Sequence, residues 1–257
     1  MQRYEGRRVL VSGAGSGIGQ GVALRLLAEG ARLVAVDVDA AGLELTAKDA
    51  GDDAADRLKT VIVDISDQES VRAGHAEARE FLGGLDVLVN AAGILRTAHT
   101  HEMPLEDWNR VIGINLTGTF LMVQEALPSL LESPHGGVVV NFSSTSAYFG
   151  APYMAAYAAS KGAVSAFTHA IALEYVKKGL RAVNIAPGGI RSGITTKSIL
   201  DLPKDIDGQL FAKLGGMVDG GNLGSPADIA GVVAMVASDD GKYISGTEIR
   251  VDGGAYM

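Results

Sequence analysis

Seven short runs dominated by β-branched and other apolar residues punctuate this chain: RRVLVS, ARLVAVD, KTVIVD, LDVLVN, GVVVNFSS, RAVNIAP and TEIRVDGG. A strand that buries one face alternates polar and apolar residues, whereas a continuously apolar run is covered on both. Between the runs lie alanine- and leucine-rich stretches of helical period, such as GQGVALRLLAEG, and longer ones at Leu105–Leu131 and Ala155–Lys178. Helices alternating with doubly buried strands predict a seven-stranded parallel sheet flanked by helices on both faces, an α/β, doubly wound arrangement. No composition shift marks a linker, so residues 1–257 are expected to form a single domain. In such a sheet ligands bind beyond the C-terminal ends of the strands, which is where chemistry is to be sought.

Composition narrows the partners. Acidic residues number 30 against 22 basic ones, a net charge of −8, and no lysine- or arginine-rich cluster offers a footprint for nucleic acid. The absence of cysteine rules out disulfides, thiolate metal ligands and a cysteine nucleophile, and suits a reducing cytoplasm. Glycine and serine break up VLVSGAGSGIG after Arg7 and Arg8 before it becomes a signal core, and no stretch approaches the ~18 apolar residues of a membrane span. A soluble cytoplasmic chain without a membrane partner is expected.

The first strand candidate runs into SGAGSGIGQGVALRLL, where Gly13, Gly17 and Gly19 free the backbone to turn tightly and approach a pyrophosphate at a helix N-terminus. The strict GxGxxG string is absent, and glycines in such a turn also have a purely structural reading. Asp37 ends the second strand, where a carboxylate can accept from both hydroxyls of an adenosine ribose and repel a 2′-phosphate. Asp64 ends the third run and NAAG, Asn90 to Gly93, ends the fourth.

In PYMAAYAASKGAV, Tyr157 stands four residues before Lys161, a spacing that stacks both on one helix face. A phenol alone is a poor base at neutral pH; an ammonium one turn away favours the phenolate. The fifth strand candidate supplies Ser143 and Ser144, and a hydroxyl there could bind a substrate oxygen approaching the tyrosine, alternation sending the two serines to opposite faces.

These stretches together resemble the short-chain dehydrogenase/reductases of the one-domain, roughly 250-residue type, along nearly the whole chain. SGAGSGIG is similar to the family's TGxxxGxG, NAAG to its NAG motif, NLTGTF to the stretch around its active-site asparagine, and YAASK to its YxxxK; LRAVNIAPGGIRS resembles RVNxxxPG, and YISGTEIRVDGG the usual C-terminus. The resemblance implies a Rossmann-type sheet and a nicotinamide cofactor. It makes Tyr157 the acid/base, Lys161 the group that lowers its pKa and binds the nicotinamide ribose, and Ser144, thirteen residues before Tyr157, the ligand of the substrate oxygen, with Ser143, Thr145 and Ser146 as rivals. Asn115 is to hold a water linking Lys161 to solvent. The implied cofactor-binding set is Gly13, Ser16, Gly17, Ile18, Gly19, Asp37, Asp64, Ile65, Asn90, Ala91, Gly93, Tyr157, Lys161, Pro187, Gly188, Ile190 and Ser192. Ser12 and Ser192 stand where the family more often has threonine. Asp37 and the neutral Ser16 favour NAD over NADP.

The expected activity is hydride transfer between NAD(H) and a small, largely uncharged secondary alcohol or ketone. The segment from Gly188 to Ser225 is expected to form a substrate lid in which Ile194, Ile199, Leu202, Leu210, Phe211, Leu214, Met217 and Val218 offer apolar contact. Its Lys197, Lys204 and Lys213 are interspersed with Asp201, Asp205, Asp207 and Asp219, which is no anion clamp. A 3-oxoacyl-thioester reductase fits the same motifs; a non-catalytic NAD-binding module and a nucleotide-dependent methyltransferase are the other readings, and neither needs the Ser-Tyr-Lys set. The alternating histidines of HTH, His99 and His101, are read as loop residues, so no metal is expected. Trp108 is read as helix packing, and Tyr148 and Tyr153, without a lysine four residues on, as pocket wall or interface. Apolar residues on more than one face of the two long helical segments, with family habit, imply a homotetramer.

Overall fold

The computed structural model describes residues 2–194, 201–212 and 222–255. The seven runs form seven strands: β1 Arg8–Ser12, β2 Arg32–Asp37, β3 Leu58–Ile62, β4 Val87–Asn90, β5 Val138–Phe142, β6 Arg181–Pro187 and β7 Thr247–Val251. All neighbours pair in parallel, in the order β3-β2-β1-β4-β5-β6-β7. The chain winds outward from β1 to β3, then returns to place β4 on the other side of β1. That reversal opens a crevice beyond the C-terminal ends of β1 and β4.

Helices α1 Gly17–Ala28, α2 Ala40–Ala50, α3 Gln68–Leu82, α4 Leu105–Ile112, α5 Thr119–Leu131, α6 Ala155–Tyr175, the short α7 Gly208–Ala212 and α8 Pro226–Val236 complete the described elements, with a few 3₁₀ turns. Strand alternation divides the core. Val9, Val11, Leu33, Ala35, Val87, Val89, Val138 and Val140 pack under α1, α2 and α8, while Leu10, Val34, Val36, Leu88 and Val139 pack under α3, α5 and α6. Central strands are thus sealed on both sides, the physical reason their sequences lack alternation.

The helical pattern over Leu105–Leu131 is interrupted. Residues Gly113–Gly118 form a π-helical turn between α4 and α5, an extra residue that widens the helix where it meets the crevice. Gly118 permits it: a Cβ there would lie 2.8 Å from the Ile65 side chain and 2.9 Å from its carbonyl. The pattern over Ala155–Lys178 is α6 followed by a 3₁₀ turn at Val176–Lys178.

Candidate active site

The loop between β1 and α1 is shaped by its glycines. Gly13 (φ 71°) and Gly17 (φ 55°) occupy left-handed backbone. A Cβ on Gly13 would strike the Ala91–Ala92 main chain at 2.6–2.8 Å, and one on Gly19 would fall 2.1 Å from the Gly13 carbonyl oxygen. The first loop therefore lies directly against the loop after β4. Helix α1 opens here without a side-chain cap from Ser16 and with no acidic residue in its first turn, whereas Asp67 caps α3 through the N–H groups of Glu69 and Ser70. Uncapped N–H groups, glycine-permitted close approach and the helix dipole suit an anionic diphosphate.

At the far wall of the crevice, Asp37 Oδ2 accepts from Gly15 N–H at 2.9 Å and Oδ1 from Asp39 N–H at 3.0 Å. The carboxylate is thereby aimed before any ligand arrives. The same cleft is lined by Gly13, Ser16, Gly17, Ile18, Gly19, Asp37, Asp64, Ile65, Ala91, Gly93 and Ser192. Ser192 faces the glycine loop, its Cβ 3.2 Å from where a side chain on Gly17 would begin. A dinucleotide fits this cradle: uncapped amides for the diphosphate, a carboxylate for the ribose hydroxyls, and the apolar walls of Val36, Val38, Val63 and Ile65 beside it.

Across the crevice, α6 carries Tyr157 and Lys161. Lys161 is buried, its Nζ donating to the Phe142 carbonyl at 2.9 Å and lying 5.6 Å from the Tyr157 ring centre. Burial pushes its ammonium down to about 8. Burial also pushes the Tyr157 phenol up, and a hydrogen bond with Ser144 pulls it back in part. This differs from the expectation that Lys161 sets the phenol's pKa. Both groups are desolvated together, and the ammonium's nearest hydrogen-bond partner is a carbonyl rather than the phenol. Ser144 follows β5, caps the 3₁₀ turn Thr145–Ala147 and accepts from Ser146 N–H at 3.2 Å.

A family model described as enoyl-(acyl carrier protein) reductase matches residues 13–256. The chain is 35% identical to a 2,5-dichloro-2,5-cyclohexadiene-1,4-diol dehydrogenase of Sphingobium indicum over 98% of this chain and 97% of that protein. It is 36% identical to the (3R)-3-hydroxyacyl-CoA dehydrogenase of Mus musculus over 99% and 98%. The crystal structure of 3-ketoacyl-(acyl-carrier-protein) reductase from Brucella melitensis, complexed with NADH, superimposes with a TM-score of 0.88 at 32% identity, covering 98% of this chain and 99% of that one. This chain belongs to the short-chain dehydrogenase/reductase family. It is an oxidoreductase whose relatives are dehydrogenases and reductases.

Within this short-chain dehydrogenase/reductase, Asn115 sits in the π turn, fully buried. Its Oδ1 accepts from Ile94 N–H at 2.8 Å, and its Nδ2 donates to the Ile94 carbonyl at 3.0 Å and to Ser160 Oγ at 3.0 Å. The Asn115 side chain clamps the post-β4 loop, and Ser160 passes the link on to the Tyr157 carbonyl at 2.7 Å. Gly93 keeps this junction tight, since a Cβ there would lie 3.2 Å from Asn115 Oδ1 and 3.6 Å from Lys161 Nζ.

Of the residues implied for the cofactor, Tyr157 and Lys161 stand behind the cleft wall, and Asn90, Pro187, Gly188 and Ile190 also lie off it. Asn90 donates to Asn141 Oδ1 at 2.8 Å; Asn141 donates to Thr168 Oγ1 at 2.8 Å, and Thr168 Oγ1 lies 3.0 Å from Asn184 Oδ1. Asn90, Asn141 and Asn184 share one register row across β4, β5 and β6, so this polar strip pins α6 to the sheet. Pro187 ends β6, and Gly188 is required by Asp252, which a Cβ would approach within 2.7 Å. The Ile190 side chain is core, leaving only its main chain near the site. Ser143 points away from Ser144, to Glu248 on β7 at 2.5 Å.

Of the lid residues, Lys197, Ile199, Lys213, Leu214, Met217, Val218 and Asp219 lie outside the described residues, as does the side chain of Phe211. The described part crosses the post-β4 loop. Thr97 Oγ1 donates to the Asp201 carbonyl at 2.8 Å, His99 Nε2 meets Asp205 Oδ1 at 2.9 Å, and Asp207 N–H donates to Tyr153 Oη at 2.9 Å. His99 thus pairs with an acidic residue distant in sequence, while no group of three or more metal-capable side chains occurs among the described residues.

Proposed function

We propose that this chain is an NAD(H)-dependent dehydrogenase/reductase of a small, largely uncharged secondary alcohol or ketone, with Tyr157 as the acid/base. The observation that carries the reading is the grouping of Tyr157, its hydrogen-bond partner Ser144 and the buried Lys161, whose Nζ abuts Gly93 in the lining of the cleft that also presents the Asp37 carboxylate. When bound, the nicotinamide supplies the hydride acceptor, or the donor in the reverse direction. Ser144 Oγ orients the substrate oxygen against the Tyr157 hydroxyl; in oxidation Tyr157 takes the proton leaving that oxygen, and in reduction it returns it. Lys161 brings an ammonium to 5.6 Å from the Tyr157 ring centre, a charge that would offset part of the burial that disfavours the phenolate oxidation needs. Asn115 and Ser160 hold the post-β4 loop and the Tyr157 turn in register.

Asp37 supports NAD over NADP, and the Brucella relative is a complex with NADH. The diol dehydrogenase relative acts on a cyclic alcohol, in keeping with a compact substrate. A 3-hydroxyacyl-thioester substrate is the second reading, favoured by the similarity to the hydroxyacyl-CoA dehydrogenase. Leu105, Phe120, Leu173 and Val176 stand exposed on and beside α4, α5 and α6, which supports a homo-oligomer, a tetramer by family habit. The test is absorbance of the reduced nicotinamide with purified protein, NAD⁺ and matched panels of free secondary alcohols and 3-hydroxyacyl thioesters. Tyr157→Phe should keep the fold and NAD binding and lose about 10²–10⁴-fold in kcat. Near-normal turnover in that variant refutes the assignment, and a hundredfold preference for the thioester replaces the substrate class.

A further inference from the structure

We propose that His99 is a proton-sensitive positioning residue: as an imidazolium it latches segment 201–207 onto the loop after β4, so that this segment is held beside the active site at lower pH and released as pH rises. For its kinetic consequence the inference rests on the dehydrogenase reading; the latch itself does not.

The two halves of the latch are unequal. The loop half is rigidly tied to the site, because Ile94 is gripped at both its N–H and carbonyl by Asn115, and Arg96 stands 3.6 Å from Asp107 on α4. Segment 201–207 meets it through three side chains, Thr97, His99 and Tyr153. Of these three contacts His99–Asp205 alone contains a group whose charge changes in the neutral range, the imidazole, and it faces a carboxylate that the His99 hydrogen bond holds below its ordinary value. An imidazolium donates a charge-assisted hydrogen bond to the carboxylate, whereas a neutral ring offers a weaker one or none, according to its tautomer.

Tyr153 is the peg against which the latch closes. Its φ of 65° is left-handed, unusual for a tyrosine, and it stands four residues ahead of Tyr157. Such backbone persists where surrounding contacts over-determine it, and here they do. The Tyr153 carbonyl accepts from Ala98 N–H at 2.9 Å, its hydroxyl accepts from Asp207 N–H, and its ring meets the His99 ring edge-on with centres 5.1 Å apart. One residue therefore joins the post-β4 loop, segment 201–207 and the start of the helix bearing Tyr157.

The groups around His99 bias the titration. Asp205 and Glu102 favour its charged form, and the His101 ring, centred 5.8 Å away, opposes it only when itself protonated. The uncharged Tyr153 ring covers one side. With the imidazole held above its ordinary value, chiefly by the Asp205 hydrogen bond, the latch is complete below pH 6.5 and is lost as pH rises through the raised value. Asp205 is exposed and His99 only partly buried, so the effect is about two- to fivefold and not a complete gate.

The test is hydrogen exchange by mass spectrometry on the cofactor-free protein at pH 6.0 and 8.5, with rates corrected for intrinsic pH dependence and peptides covering 201–210. Wild type is expected to show about two- to fivefold more protection at pH 6.0. His99→Gln and Asp205→Asn should each show the pH 8.5 level at both values, and Tyr153→Phe should lose protection at both. Equal protection of wild type at the two pH values, or an unchanged pH response in His99→Gln, overturns the proposal. In parallel, the wild-type to His99→Gln ratio of KM for whichever alcohol supports turnover should rise with pH, the titration of Tyr157 and Lys161 cancelling between the two proteins. If no alcohol turns over, the dehydrogenase reading fails, and the exchange data still decide the latch.

Discussion

Replacing Asp37 by alanine separates two jobs that the carboxylate performs. In the ligand-free protein it holds Gly15 N–H and Asp39 N–H at 2.9 and 3.0 Å. Losing two such bonds at a half-buried site costs about 1 kcal/mol each, which lowers the Tm of a chain of this size by about 4–8 °C. The second job is discrimination. A 2′-phosphate dianion in contact with a carboxylate is repelled by about 2 kcal/mol even at the dielectric of water, and the ribose hydroxyls of NAD(H) lose charge-assisted hydrogen bonds worth about 2 kcal/mol. Together these give about 4 kcal/mol, so the ratio of kcat/KM for NAD⁺ over NADP⁺ should fall by about a thousandfold. Steady-state kinetics with both cofactors measures it, and a calorimetric scan of the free protein measures the structural part separately. A ratio that moves less than tenfold while Tm falls as expected would mean that Asp37 only braces the glycine loop.

Three further outcomes are expected. His75 packs against α5 with an unpartnered buried Nε2, and burial pushes it down to about 4 from 6.5, so stability should decline by up to about 3 kcal/mol as pH falls from 6.5 to 4. His75→Leu should flatten urea-unfolding stability across that window, where Glu29 and Asp86, held low by arginines, contribute little; an unchanged slope would disprove the assignment. Thr168→Val leaves Asn141 Nδ2 and Asn184 Oδ1 without their buried partner and should cost about 2–5 kcal/mol in the same assay, with less than 1 kcal/mol contradicting the role given to the polar strip. Light scattering at micromolar concentration should give the mass of a tetramer, and a monomeric mass would refute it.

The strands and the crevice were legible because they depend on patterns of local sequence. Continuous Val/Leu/Ile runs can be satisfied only by burial on two faces, and a glycine cluster at a strand end has few uses besides close approach, so β1 to β7 and the Gly13–Gly19 turn follow from short windows. Tyr157 and Lys161 share a helix, and their spacing alone stacks them. The π turn was not legible, since Leu105–Leu131 carries an unbroken helical pattern and the extra residue is selected by contacts of Asn115 with Ile94 and of Gly118 with Ile65. Nor was the register row of Asn90, Asn141 and Asn184, because side-chain alternation within a strand says nothing about which residues of separate strands stand abreast.

Electrostatic fate followed the same division. From the sequence, an ammonium one turn from a phenol lowers the phenol's pKa; in the folded site both are stripped of water, and desolvation dominates both shifts. His99 has Glu102 three residues on, yet its hydrogen bond goes to Asp205, more than a hundred residues away. Periodicity, turn chemistry and helical spacing are short-range properties that a sequence specifies by itself. Burial, register and charge partnership belong to residues distant along the chain, and only the packed tertiary structure decides them.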